Sequence, residues 1–136
     1  YALILLRQDG YPCVFWGDYY GITEGPAPRP AMKKRLDPLL YARKEAAYGQ
    51  QVDYFDHGNC VGWVRLGDPA VPHSGVAVVM SNGEEGFKRM SFGPDNAGTV
   101  WRDVTGRIHD PVTVDDNGEA DFHCHGESVS VYRRDR

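Results

Sequence analysis

The feature that most constrains this chain lies after residue 50. Short runs of alternating apolar and polar residues recur there between turn-forming residues. Ser128-Val129-Ser130-Val131-Tyr132 alternates cleanly at period two, the repeat of a strand. Ser81-Asn82-Gly83 and Asp116-Asn117-Gly118 are hairpin turn signals, because Asn and Gly tolerate positive φ. The pattern predicts strands near 52–56, 61–66, 75–81, 87–92, 99–104, 111–114, 119–124 and 127–133. Short strands at this spacing predict an antiparallel sandwich or Greek-key barrel.

Residues before 50 read differently. Residues 1–8, YALILLRQ, predict a helix that ends at Asp9-Gly10. Cys13-Val14-Phe15-Trp16 has no polar member and is too short for a helix. Bounded by Pro12 and by Gly17-Asp18, it predicts a strand buried on both faces, as in a parallel sheet covered by helices. The stretch that follows is crowded with Gly17, Gly21, Gly25, Pro26, Pro28 and Pro30, which predicts a loop without regular structure. Pro30 suits a first helical turn. Residues 31–47 then place Met32, Leu36, Leu39, Leu40 and Ala46 near one face of a helix. Pro38 removes a backbone bond there and predicts a kink or restart. A boundary near residue 50 thus divides helix–strand–helix (1–50) from all-β (51–136). Such a fragment can lend its buried strand only to a sheet built by other chain, a β/α barrel or a doubly wound sheet. The loop after the strand then lies at the carboxyl end, where these folds place their sites.

Composition excludes some functions. With 15 basic against 19 acidic side chains and a net charge of −4, the chain lacks the basic stripe that nucleic acid requires. Arg133-Arg134-Asp135-Arg136 reads as a solvated tail. No apolar run approaches the roughly 20 residues of a membrane span. The opening Tyr1 predicts that the chain is part of a longer protein, so the missing export signal says nothing of destination. Cys13, Cys60 and Cys124 cannot all pair within the chain, and none has metal-site spacing. They read as small hydrophobes, in a reducing compartment or in a secreted fold without bridges. Localisation stays open between secretion and the cytoplasm.

With these motifs in place, the chain resembles the α-amylase family of glycoside hydrolases (family 13). GYPCVFWGDYYG looks like its eighth barrel strand, with the pattern G-x-P-x-x-x-x-G-D/E. LDPLLYARKEAAYGQQVDYFDHGNCVGWVR is similar to the following helix and the entry into the C-terminal β-domain. FKRMSFGPDNAGTVWRDVTG and DFHCHGESVSVY look like the last strands of that domain. The resemblance is to the liquefying type of bacteria and its fungal relatives. It implies the end of a (β/α)8 TIM barrel (1–50) followed by an antiparallel sandwich or Greek-key C-terminal domain (51–136). It also implies a parent that cleaves α-1,4-glucosidic bonds of starch and glycogen internally, with retention. That chemistry needs two carboxyl groups about 5–5.5 Å apart, a nucleophile and an acid/base. The family's carboxylates lie on barrel strands that would precede Tyr1, so no catalytic residue is expected here. A monomer is expected, with the preceding barrel and an α-glucan as partners. The alternative is a non-catalytic glucan-binding or structural β-sandwich module.

Asp18, Tyr19 and Tyr20 stand just after the proposed barrel strand, where they could line a substrate cleft; sugar faces stack on aromatic rings. The other reading has Asp18 bonding loop backbone and both tyrosines bracing the barrel top. The family can bind calcium between barrel and β-domain through one carbonyl and two aspartates. Here those positions read Gly58, Asn59 and Asn82, and calcium prefers anionic oxygens. Calcium is therefore expected upstream in the parent and not in this segment. His123 and His125 share a strand face but have no third ligand at recognisable spacing for zinc. Trp63 and Trp101 could be a starch platform, yet their alternation with valines predicts core packing.

Overall fold

The computed structural model describes residues 1–135. The eight predicted strands form, each within a residue or two of its expected start: β1 (Gln51–Tyr54), β2 (Cys60–Arg65), β3 (Val76–Ser81), β4 (Gly86–Ser91), β5 (Val100–Asp103), β6 (Val112–Thr113), β7 (Glu119–Cys124) and β8 (Ser128–Arg134). They make a six-stranded antiparallel sheet in the order β1-β2-β3-β8-β5-β6, and a separate two-stranded ribbon of β4 and β7. In the ribbon Gly86 stands opposite Cys124 and Ser91 opposite Glu119.

The large sheet is buried on both faces. Its first face carries Val64, Ala77, Val79, Trp101 and Tyr132, which pack on Met90, Ala120 and Phe122 of the ribbon. The stacked rings of Phe92 and Trp101, 4.1 Å between centroids, fill one end of this core. The second face carries Trp63, Val76, Val78 and Val131. It lies under two helices, α1 (Ala2–Leu6) and the later Lys33–Glu45 helix, through Leu5, Leu6, Leu36, Leu39 and Ala42. Each fully buried large apolar side chain contributes about 1.5–3 kcal/mol, so both layers are needed to hold the sheet. Double burial explains why β3 reads Val-Ala-Val-Val-Met without alternation. It also leaves Trp63 and Trp101 buried, as packing residues with no ring face for a sugar.

Three local expectations are corrected. Cys13-Val14-Phe15-Trp16 is neither a strand nor buried: Cys13, Phe15 and Trp16 are exposed. A parallel strand is held by ladder bonds from neighbouring strands. Among the described residues no strand offers these four an edge; instead the Phe15 amide donates to Tyr1 Oη at 3.2 Å and its carbonyl accepts from the Asp18 and Tyr19 amides at the start of the next helical turn. The second correction is the loop after it, which is not wholly irregular. Trp16–Tyr20 forms a short helix, α2, ended by Gly21 at φ 83°, and Ile22 bridges to Arg29 across the rest. The third is the first helix, which stops at Leu6, with Arg7 extended, rather than running to Gly10. Pro38 lies inside α3 (Lys33–Glu45), which is one continuous element around it.

Candidate functional site

The loop expected to carry a site is built around α2. Asp18 is its centre. Its carboxylate accepts a hydrogen bond from Tyr1 Oη and pairs with the Arg29 guanidinium at 2.7 Å. The Tyr1 hydroxyl first, and Arg29 with it, hold the Asp18 carboxyl below the ordinary carboxylate range. The backbone carbonyl of Asp18 accepts from the Met32 amide at 2.7 Å, which ties the turn to the start of α3. A carboxylate so stabilised as an anion suits positioning rather than proton transfer.

Tyr19 is engaged in the same direction. Its hydroxyl donates to Asp37 at 2.6 Å and accepts from Lys33 Nζ at 2.9 Å. Lys33 and Asp37 stand one turn apart on α3 and pair at 2.8 Å. The Lys33 ammonium and the Tyr19 hydroxyl keep the Asp37 carboxyl low, and Asp37 in turn raises both Lys33 and Tyr19. Tyr20 differs: its ring is 58% exposed and lies 5.1 Å from that of Trp16, itself 66% exposed. Tyr19 meets Tyr20 edge-on at 4.7 Å. The three sequence candidates are therefore brought together, but two have their polar atoms committed, Asp18 to Tyr1 and Arg29 and Tyr19 to Lys33 and Asp37 of α3. Trp16 was missed because it was assigned to a buried strand; its spacing of four from Tyr20 is the signal that a helical turn puts the two rings side by side.

The calcium positions are also brought together. The Asn82 amide donates to the Asn59 carbonyl at 3.0 Å, and Asn59 N–H donates to His57 Nδ1 at 3.1 Å. The donor set does not fit a calcium ion. Both side chains are neutral amides, and the nearby Asp56 pairs with Lys88 at 2.7 Å. Among the described residues no group of three His, Cys, Asp or Glu side chains is assembled for a metal. His123 packs on Phe87 with ring centroids 5.4 Å apart, while His125 Nε2 meets the Arg107 carbonyl at 3.0 Å.

The fold defines a class first: a two-layer antiparallel β-domain with a helical layer on its outer face. It matches solved α-amylases. One, from Anoxybacillus, aligns with a TM-score of 0.54 at 13% identity over 74% of this chain and 21% of that one. Another, from Geobacillus thermoleovorans and complexed with acarbose, aligns with a TM-score of 0.50 at 16% identity over 74% of this chain and 22% of that one. The chain is 50% identical over 134 residues to an α-amylase of Bacillus licheniformis. It is 50% identical over 133 residues to a glucan 1,4-α-maltohexaosidase of Bacillus sp. strain 707. It is 43% identical over 141 residues to the cytoplasmic α-amylase of Escherichia coli K12. Each match covers 97% of this chain but only 25–28% of the relative. No family model matches. The chain belongs to the α-amylase family, as a segment spanning about a quarter of the length of the curated relatives it matches.

Proposed function

We propose that this chain is the C-terminal segment of an α-amylase that hydrolyses α-1,4-glucosidic bonds of starch-type glucans internally, with retention of configuration. The observation that carries the reading is 43–50% identity to α-amylases over 97% of the chain. In this reading residues 1–50 close a β/α barrel and residues 51–136 form its C-terminal domain. Exposed Leu3, Ile4, Tyr11 and Phe15 support it, because a barrel end needs apolar side chains turned toward the rest of the barrel. Residues 13–16 then gain ladder bonds from that barrel and become its last stave.

The segment's role is support. The ties from Asp18 to Tyr1 and Arg29, and from Tyr19 to Lys33 and Asp37, hold the post-stave loop in place beneath the cleft. Trp16 and Tyr20 offer rings to a sugar at its margin. The nucleophile and the acid/base come from the rest of the protein, as does any calcium; Gly58, Asn59 and Asn82 bind none. The working unit is a monomer. The test is hydrolysis of soluble starch by the full-length protein, with the anomeric form of the first product read by polarimetry. Release of the α-anomer supports the reading. Retention on amylose without hydrolysis overturns it in favour of a non-catalytic glucan-binding protein.

A further inference from the structure

Two of the three cysteines lie in the core between the sheets. Cys60 is the first residue of β2 in the large sheet, and Cys124 is the last residue of β7 in the ribbon. Both are buried in the same core. The Cys60 sulfur lies directly over the ribbon at the Gly86–Cys124 pair: a Cβ on Gly86 would come within 2.8 Å of it. Glycine at 86 therefore makes the room that the sulfur occupies. The Cys60 thiol also reaches toward the carbonyl of Phe87, at 4.0 Å, on the strand that pairs with β7. Cys13, by contrast, is exposed in the segment before α2.

We propose that Cys60 and Cys124 form an inter-sheet disulfide when the protein meets a low-molecular-weight disulfide oxidant. Each cysteine borders its own surface cavity, Cys60 beside Asn59 and Lys88, and Cys124 beside His123 and His125. The first of these cavities is the route by which a reagent of glutathione size would reach the buried Cys60. The thiolate of Cys60 attacks one sulfur of glutathione disulfide, breaks its S–S bond and releases one glutathione thiolate. The Cys124 thiolate then attacks the Cys60 sulfur of the mixed disulfide and releases the second. The protein loses two electrons and two protons, and two molecules of glutathione carry them away. Burial pushes the Cys124 thiol up to about 11, so the second step is the slow one.

The bond would close a long loop that takes in β3 to β6, and loops of that length give a disulfide a large stabilising effect. The experiment exposes the folded full-length protein, with Cys13→Ser to prevent exchange, to glutathione disulfide beside a free thiol peptide as control. Non-reducing peptide mapping and thermal unfolding are the readouts. The expected result is a linked Cys60–Cys124 peptide, a midpoint raised by about 2–5 °C, reversal by dithiothreitol, and loss of all three in Cys60→Ser. The proposal is overturned if the control peptide is oxidised while Cys60 and Cys124 return as free thiols or as separate glutathione adducts.

Discussion

The indole Nε1 of Trp63 donates to the backbone carbonyl of Leu6 at 3.2 Å, across the seam between the sheet and the helical layer. Trp63 is wholly buried, and so is Leu6. The bond satisfies one of the carbonyls left orphaned at the end of α1, and the ring fills the space beneath it. Trp63→Ala removes both the bond and the largest side chain of this core, and is expected to cost about 3–5 kcal/mol. Trp63→Phe keeps most of the volume but strands the Leu6 carbonyl, at about 1–3 kcal/mol. Urea unfolding of both variants checks the order.

Asp103 is the other polar anchor. Its buried carboxylate accepts from the backbone amides of Thr105, Ile108 and Val131, and from the Thr105 hydroxyl, at 2.7–3.0 Å. It thereby ties the turn after β5 to β8. Asp103→Ala leaves three amides without an acceptor and should cost about 2–4 kcal/mol. Thr105→Val, which removes one donor only, should cost about 1 kcal/mol. Denaturation midpoints of the pair decide whether the carboxylate or the hydroxyl dominates.

The buried hydroxyl of Ser130 has no hydrogen-bond partner among the described residues and lies on the β8 face shared with Tyr132. Removing it relieves a desolvation penalty. Ser130→Ala is expected to leave stability unchanged or raise it by up to about 1 kcal/mol, against the usual loss on core substitution. A loss above that size in calorimetry would mean that the hydroxyl is paired in solution.

Alkaline pH tests the core between the sheets. Burial pushes the Tyr132 hydroxyl up to about 12, while it donates to the His123 carbonyl at 2.8 Å. In the unfolded chain this tyrosine ionises near its ordinary value of 10.0. Stability from this group is therefore fully present below about pH 10 and is lost as pH rises toward 12, by up to about 2.5 kcal/mol. Tyr132→Phe should flatten that loss in pH-dependent unfolding between pH 9 and 12.

Much of this architecture is legible in the chain's own pattern, and the exceptions have physical causes. β8 shows its period-two repeat and β7 its sharp turn at Asn117-Gly118, because local geometry sets both. Residues 13–16 misled, because an apolar tetrapeptide reports the demand for burial but not which chain meets it. The Asx turn at Asp103 is signalled by Asp-Val-Thr-Gly, yet its reach to Val131 is set by the pairing of β5 with β8. The placement of Cys60 and Cys124 in one core is non-local in the same way and carries no spacing signal. Within the candidate loop, Asp18, Tyr19 and Tyr20 are legible as a group. The commitment of Asp18 and Tyr19 to Tyr1, Arg29, Lys33 and Asp37 is not, since it depends on where α1 and α3 settle on the sheet.

The central claim is that this chain supports a catalytic barrel that other residues complete. Reducing-sugar release from starch, measured in parallel for the full-length protein and for residues 1–136 expressed alone, tests it most directly. The account predicts hydrolysis by the first and none by the second. Cleavage by the isolated segment, or an inert full-length protein, would contradict it.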